Sequence, residues 1–290
     1  MKKIAIGIQD FENIRTGNYF YVDKTHFIKE WWDTGDSVTL ITRPRRFGKT
    51  LTMSMLETFF SVKYANRSDL FEGLDIWQEE YRKLQGTYPV INISFASIKE
   101  KDYVSTRKSI CKIIYNVYLK NTFLLEGGQL PIEMKTQYQS IFSALESEQA
   151  DDSIATTALH QLSKFLNIYY GKPVIILLDE YDTPMQEAYV QGYWQDLMYF
   201  IRSMFNATFK TNPYLARAIM TGITRVSKES VFSDLNNLNV VTTTSEEYEN
   251  AFGFTEEEVF KALDEYGLSE KKQDVKKWYD GFVFGTTKDI

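Results

Sequence analysis

The chain has 290 residues, of which 43% are hydrophobic and 25% charged, which excludes extensive disorder and leads us to expect one large α/β domain with an appended element. A net charge of −6 excludes a protein whose whole surface attracts nucleic acid or anionic lipid. With 2 His and 1 Cys, the sequence predicts no zinc or iron site of the usual kind. With no long apolar run, it predicts a cytoplasmic protein without membrane association.

Five short apolar runs predict buried strands, at residues 37–42, 90–95, 174–178, 216–221 and 239–244. Helical patterns lie between them, most clearly at residues 154–169 and 194–205, and the long connection from the second strand to the third is expected to contain a helix around residues 103–120. Strands that alternate with helices are typical of parallel sheets. We therefore expect an α/β fold with a mostly parallel five-stranded sheet flanked by helices.

The pattern changes after the fifth predicted strand. Thr255, with Glu258 three residues later, forms a capping box, and an apolar stripe on Val259, Leu263 and Tyr266 predicts the helix that follows. We expect one domain over residues 1–250. Residues 251–290 are expected to begin a small C-terminal helical unit of the lid or winged-helix-like kind, truncated here.

Residues 43–50 have the sequence context of a phosphate-binding loop, because they follow a predicted strand and precede a helical pattern. Gly48 allows the backbone to approach a phosphate, Lys49 reaches the β and γ oxygens, and the Thr50 hydroxyl ligates Mg²⁺. Arg43 stands where the consensus has its first Gly. A Cβ disfavours a left-handed turn there, so the entry of the loop must take another path.

The loop alone leaves two interpretations open. Gly-Lys-Thr is a common tripeptide, and Arg45 and Arg46 are equally compatible with a solvated surface. On the nucleotide-binding interpretation, the contacting residues are Arg43, Arg45, Arg46, Phe47, Gly48, Lys49, Thr50 and Leu51.

The third predicted strand is wholly apolar and ends in Asp179 and Glu180, at the edge where open α/β sheets place their ligands. We expect Asp179 to hold Mg²⁺ together with Thr50, and Glu180 to orient and polarise the attacking water. The alternative is that the two acids cap the next helix. Asp182, which precedes Thr-Pro, is the stronger candidate for that cap.

The fourth predicted strand ends in polar groups that belong at the same sheet edge. Thr221 or Thr224 is a candidate to hold the lytic water, and Arg225 is a candidate to sense the γ-phosphate or act on a neighbouring subunit. The alternatives are a strand that simply ends at Thr-Gly and an Arg225 that pairs with Glu229 at helical spacing.

The order of these motifs and the residues in them resemble those of the prokaryotic AAA-ATPase-like family, whose members are often joined to a C-terminal PD-(D/E)XK-type nuclease domain. The matching segments are residues 21–25 (Tyr-Val-Asp-Lys-Thr), 43–50, 178–182, 221–228 and 278–282 (Trp-Tyr-Asp-Gly-Phe). Arg43 in place of Gly is part of that family's loop. No strand-borne D…E-x-K set is found in this chain, so nuclease activity is not assigned to it.

The resemblance implies a P-loop NTPase fold of the additional-strand type, in which another strand separates the loop strand from the catalytic strand. It also implies ATP as the nucleotide. The role of residues 21–25 is left open between a helix cap by Asp23, ahead of Trp31 and Trp32, and an adenine contact by the neighbouring aromatic residues.

Three functions follow from these residues. The first is a Mg²⁺-dependent ATPase that uses Glu180, Lys49, Thr221 and Arg225 and whose cycle moves an attached C-terminal domain. The second is a nucleotide-gated switch, or interaction module, with little turnover. The third is a nucleic-acid-associated mobile-element or defence ATPase, which the acidic charge disfavours. A homo-oligomer, and contact with nucleic acid through a fused nuclease domain outside this chain, are left open.

Overall fold

The computed structural model describes residues 1–224, 231–232, 234–279 and 281–286. The chain forms two compact units. The first unit comprises Met1–Gly35, Thr42–Gly86 and Val241–Ile290, and the second comprises Asp36–Ile41 and Thr87–Val240. The boundary expected after residue 250 falls within the first unit and stays a prediction.

The elements follow the predicted alternation of strands and helices. The strands are β1 (Lys3–Ile4), β2 (Tyr19–Phe20), β3 (Val38–Thr42), β4 (Val90–Ser94), β5 (Val174–Asp179), β6 (Leu215–Gly222) and β7 (Leu238–Val241). The α-helices are α1 (Phe11–Thr16), α2 (His26–Thr34), α3 (Lys49–Phe60), α4 (Asp75–Gln78), α5 (Tyr103–Lys120), α6 (Ile132–Glu146), α7 (Asp152–Tyr170), α8 (Thr183–Gln191), α9 (Trp194–Phe205), α10 (Glu256–Glu265) and α11 (Lys272–Trp278).

Five of these strands form one parallel sheet in the order β4-β5-β6-β3-β7, which confirms the predicted fold class. β6 lies between β3 and β5, as the additional-strand arrangement requires. Every residue of β3 and of β5 is buried, as expected for strands covered by helices on both faces, and all of them are apolar except Thr39, Thr42 and Asp179.

The register of the strands places their carboxyl ends together. Ser94 at the end of β4 lies opposite Asp179 at the end of β5, and Leu178 lies opposite Met220 of β6. Because the strands are parallel, side chains at the ends of β5 and β6 share one edge of the sheet. The polar residues that follow each strand are therefore concentrated at that edge.

Side-chain capping sets the start of two helices of the second unit, α5 and α7. α5 starts where the Asp102 carboxylate accepts a hydrogen bond from the Ser105 amide at 2.8 Å, and Asp151 caps α7 in the same way through Ile154. The predicted helix at residues 103–120 is confirmed. None of the described helices combines the length and the apolar character needed to cross a bilayer.

The first unit contains the predicted capping box. The Thr255 hydroxyl accepts from the Glu258 amide at 3.3 Å, and the Glu258 carboxylate accepts from the Thr255 amide at 2.8 Å. α10 therefore begins at Glu256, as the sequence predicts.

Candidate functional site

The loop at residues 43–50 turns through two left-handed residues, Arg46 with φ 69° and Gly48 with φ 76°. Arg43 does not adopt a positive φ, so the left-handed turn lies three residues later than a consensus Gly would place it. α3 begins immediately after Gly48. No side chain caps its start and its first turn contains no acidic residue, both of which suit an anion at that helix end.

Lys49 lies over the entry of the loop. It is 5% exposed, and its ammonium group donates to the carbonyl oxygens of Arg43 at 3.0 Å and of Pro44 at 2.8 Å. A lysine held by carbonyls of its own loop is a preorganised cation beside the start of α3. The Thr50 side chain, which follows it, is half-buried.

Arg43 is fully buried and fastens the loop to a distant part of the chain within the first unit. Its guanidinium donates to the carbonyl oxygens of Thr242 at 2.7 Å, Glu247 at 3.3 Å and Tyr248 at 3.4 Å. The group also lies 4.8 Å from the ring centre of Phe284. These bonds occupy the side chain, so a direct contact between the guanidinium and a nucleotide would require them to break.

Burial also affects the protonation of the Arg43 guanidinium. The guanidinium is surrounded by carbonyls and aromatic rings, and this loss of solvent lowers the pKa of Arg43 to about 10. Its Nε atom is buried without a hydrogen-bond partner. Burial of this charge costs solvation free energy, which indicates that the Arg43 side chain has a role in holding the shape of the loop.

The remaining loop residues differ in exposure. Arg45 and Arg46 are exposed, Phe47 and Leu51 are half-buried, and Gly48 is exposed. The Phe47 ring meets the edge of Phe282 at 5.0 Å between centres, and the Phe47 carbonyl accepts from the Gly253 amide at 3.1 Å. The loop is thus joined at both Arg43 and Phe47 to residues that follow β7.

In the second unit, Asp179 and Thr221 are brought together at the ends of β5 and β6. Asp179 is 3% exposed, and its carboxylate accepts a hydrogen bond from the Thr221 hydroxyl. A bond from Thr221 orients the carboxylate and satisfies one of its lone pairs. Thr221 therefore contacts the predicted metal ligand, a relationship that the strand order makes possible.

Glu180 follows with an unusual backbone. Its φ of 50° lies in the left-handed region, which costs a residue with a Cβ about 1 kcal/mol or more. The Thr183 hydroxyl donates to its carboxylate at 3.1 Å, and the next residue, Tyr181, donates its amide to the Thr221 carbonyl at 3.0 Å. Strained backbone of this kind is concentrated at functional sites.

Asp182 occupies the N-cap position of α8, but the expectation that its side chain caps the helix is wrong. One carboxylate oxygen instead accepts from the amides of Ile223 at 3.0 Å and Thr224 at 2.8 Å, and from the Thr224 hydroxyl at 2.7 Å. Asp182 therefore shapes the turn after β6. Sequence reasoning missed this role because the partners lie about forty residues away, and Thr183-Pro184 is itself a sufficient helix-start signal.

Thr224 is thus held by Asp182 and by Tyr181, whose hydroxyl donates to the Thr224 carbonyl at 2.7 Å. Thr221, not Thr224, contacts the Asp179 carboxylate. Arg225, the candidate sensor, lies outside the described residues.

Residues 21–25 hold parts of the first unit together. The Asp23 carboxylate accepts from the Thr25 amide at 2.9 Å and from the Asp75 amide at 2.7 Å, so it serves the start of α4 and not that of α2. The Lys24 ammonium is paired with Glu258 at 2.6 Å. Burial lowers the pKa of Lys24, and the Glu258 carboxylate opposes that shift.

Comparison with known proteins places these features in a wider group. A family model described as Predicted AAA-ATPase matches residues 5–232. An uncharacterized protein encoded in the vnfD 5′ region of Azotobacter chroococcum is 27% identical over 286 residues, which cover 97% of this chain and 48% of that protein. The chain therefore spans about half the length of this relative. No solved structure matches.

Proposed function

Because this chain belongs to the predicted AAA-ATPase family, we propose that it binds ATP with Mg²⁺ at residues 43–50 and hydrolyses it with the help of Glu180. The observation that carries the proposal is Lys49, held by the Arg43 and Pro44 carbonyls at the uncapped start of α3. A buried lysine at a helix N-terminus that lacks acidic residues is suited to bind the phosphates of an anionic ligand.

The donor set suits Mg²⁺. The Asp179 carboxylate and the Thr50 hydroxyl are hard oxygen donors of the kind that this ion prefers, and Thr221 keeps the Asp179 carboxylate oriented. In the proposal, these two residues hold the ion. When bound, Mg²⁺ neutralises charge on the β and γ phosphate oxygens.

Hydrolysis depends on Glu180. Its carboxylate orients a water molecule and accepts its proton while the water oxygen bonds to the γ-phosphorus. The bond from that phosphorus to the bridging oxygen breaks, and the products are ADP and inorganic phosphate. The left-handed backbone of Glu180 supports this role, because strain is retained where it positions a reacting group.

We further propose that the nucleotide affects residues after β7, and through them any domain attached beyond this chain. Arg43 and Phe47 connect the loop to residues 242–248, to Gly253 and to residues 282–284. A shift of the loop therefore changes the contacts of that segment. This favours an ATPase that drives conformational change over one that acts on nucleotide alone.

Two measurements test the proposal. Calorimetric titration with ATP and Mg²⁺ is expected to show binding by the wild type and at least a tenfold loss of affinity, about 1.4 kcal/mol, in Lys49→Ala. Glu180→Gln is expected to bind ATP normally and to release phosphate at about one hundredth of the wild-type rate or below. Equal affinity in Lys49→Ala would refute the binding site, and equal turnover in Glu180→Gln would refute the role of Glu180.

A further inference from the structure

A groove of about 530 Å³ lies in the first unit beside the phosphate loop. It is bordered by Phe47 of the loop, by α10 and by the segment that contains α11 and Phe282. Its volume is that of a small-molecule pocket, which usually measures about 300–1,000 Å³. The groove is too small to accept a folded partner but large enough for a heterocyclic ring.

The walls of the groove are aromatic and accessible. Phe254 is 58% exposed, Tyr279 is 72% exposed and Phe282 is 48% exposed. Large aromatic side chains that converge on one cavity while remaining exposed are typical of binding sites, because their apolar faces are otherwise left in water. Phe47 and Phe260 complete the apolar wall.

The rim of the groove is polar. Arg46 of the loop and Lys276 of α11 are both basic, and the Lys276 ammonium is paired with the Glu256 carboxylate at the start of α10. An apolar cavity with a few polar groups at its edge suits a ligand that has a flat ring at one end and negative charge at the other.

The groove is continuous with the phosphate loop. Arg46 and Phe47 line it. The next residue, Gly48, whose Cα lies about 3.8 Å from that of Phe47, begins the segment that faces the phosphates in our proposal. Phe27 and Trp31, aromatic residues that follow Tyr21–Thr25, are fully buried in packing and present no accessible ring face to a base.

We infer that this groove binds the base of the nucleotide, with the ring stacked on Tyr279 or Phe254. The inference rests on the proposed function, since it assumes that residues 48–50 hold the phosphates. It gives a role to the Trp-Tyr-Asp-Gly-Phe segment at residues 278–282, which the phosphate chemistry leaves unexplained. Stacking on an aromatic ring does not require a particular base, because every base has a π-face.

The test compares ATP with inorganic tripolyphosphate, which carries the charges of ATP but has no base. Binding of each ligand with Mg²⁺ is measured by calorimetry for the wild type and for the Tyr279→Ala/Phe254→Ala double variant. Both side chains are mostly exposed, so their removal should leave the fold intact. Tyr199→Ala is the matched control, because Tyr199 is 70% exposed on α9 and does not line the groove.

We expect the double variant to bind ATP about five- to a hundredfold more weakly, the range expected for loss of a stacked base, and to bind tripolyphosphate as the wild type does. Tyr199→Ala should bind both ligands normally. Unchanged ATP affinity in the double variant, with Lys49→Ala still defective, would overturn the groove assignment alone. Equal weakening of ATP and tripolyphosphate would also overturn it. If neither ligand binds the wild type, the proposed function fails as well.

Discussion

The hydroxyl of Thr221 donates a hydrogen bond to the buried carboxylate of Asp179, across the ends of two neighbouring strands. The bond requires β5 and β6 to be adjacent in the sheet, which is the arrangement that separates the loop strand from the acidic strand. In the proposed site, Thr221 would orient the carboxylate that holds Mg²⁺ without binding the ion itself.

Replacing Thr221 with Val tests that relationship, because Val has nearly the same shape but no hydroxyl. We expect Thr221→Val to raise the Mg²⁺ concentration that gives half-maximal phosphate release by about tenfold, as loss of an outer-shell partner does. A Mg²⁺ titration of ATP turnover measures this. Thr136→Val, at an exposed site on α6, should leave the Mg²⁺ requirement unchanged, and an unchanged requirement in Thr221→Val would contradict the prediction.

Restoring the consensus Gly at position 43 should harm the protein. Arg43→Gly removes hydrogen bonds to three distant carbonyl oxygens, a fourth to the Thr42 carbonyl, and a fully buried side chain, so we expect the free energy of unfolding to fall by about 3 kcal/mol or more. Urea denaturation measures the loss. Arg45→Gly, in the same loop but exposed, should cost less than about 1 kcal/mol. Equal stability in the two variants would show that the Arg43 bonds contribute little.

The Lys24–Glu258 pair should couple the start of α2 to α10. The side chains are 9% and 25% exposed, so the pair is poorly screened by solvent. A double-mutant cycle with Lys24→Met and Glu258→Gln should give a coupling free energy of about 1–2 kcal/mol. The exposed pair Lys83–Glu80 is the control, and its cycle should give about 0.5 kcal/mol or less. Indistinguishable coupling in the two cycles would count against a structural role for Lys24.

Gly222 should not tolerate a methyl group. A Cβ there would lie 2.6 Å from the Tyr181 ring and 2.7 Å from a carboxylate oxygen of Asp182, so the turn after β6 would have to move. We expect Gly222→Ala to destabilise the fold by about 1–3 kcal/mol. In Gly128→Ala the new Cβ would meet no atom within 4 Å, so its stability should change by less than about 1 kcal/mol. A midpoint of thermal unfolding for Gly222→Ala equal to that of the wild type would refute the clash.

The features that depend on local sequence were predictable. Apolar periodicity predicted the strands of the sheet and the helix at residues 103–120, and Thr255 with Glu258 predicted the start of α10. The sequence also indicated that a left-handed turn at Arg43 is disfavoured, because steric restriction by a Cβ is local, although Arg46 adopts that conformation despite its Cβ. The strand order needed the family resemblance, since periodicity does not say which strands are neighbours.

Features that depend on distant partners were not predictable. The carbonyls that bind Arg43 lie about 200 residues away, and no property of residues 43–50 identifies them. Asp182 carried a helix-cap signal, yet its carboxylate binds the turn after β6. The groove was missed because Phe254 and Tyr279 are ordinary aromatic residues until the fold places them beside Phe47.

The bond between Arg43 and the carbonyls of residues 242–248 has a consequence for synthesis of the chain. The ribosome makes Arg43 early, but its partners emerge only after about 200 more residues, roughly 10–40 s later at common elongation rates. Most of the second unit is contiguous and is complete by then. The loop at residues 43–50 therefore reaches its final conformation only after residues 242–248 have emerged, so a ribosome-bound intermediate that ends before residue 241 should lack the loop shape on which the proposed nucleotide binding rests.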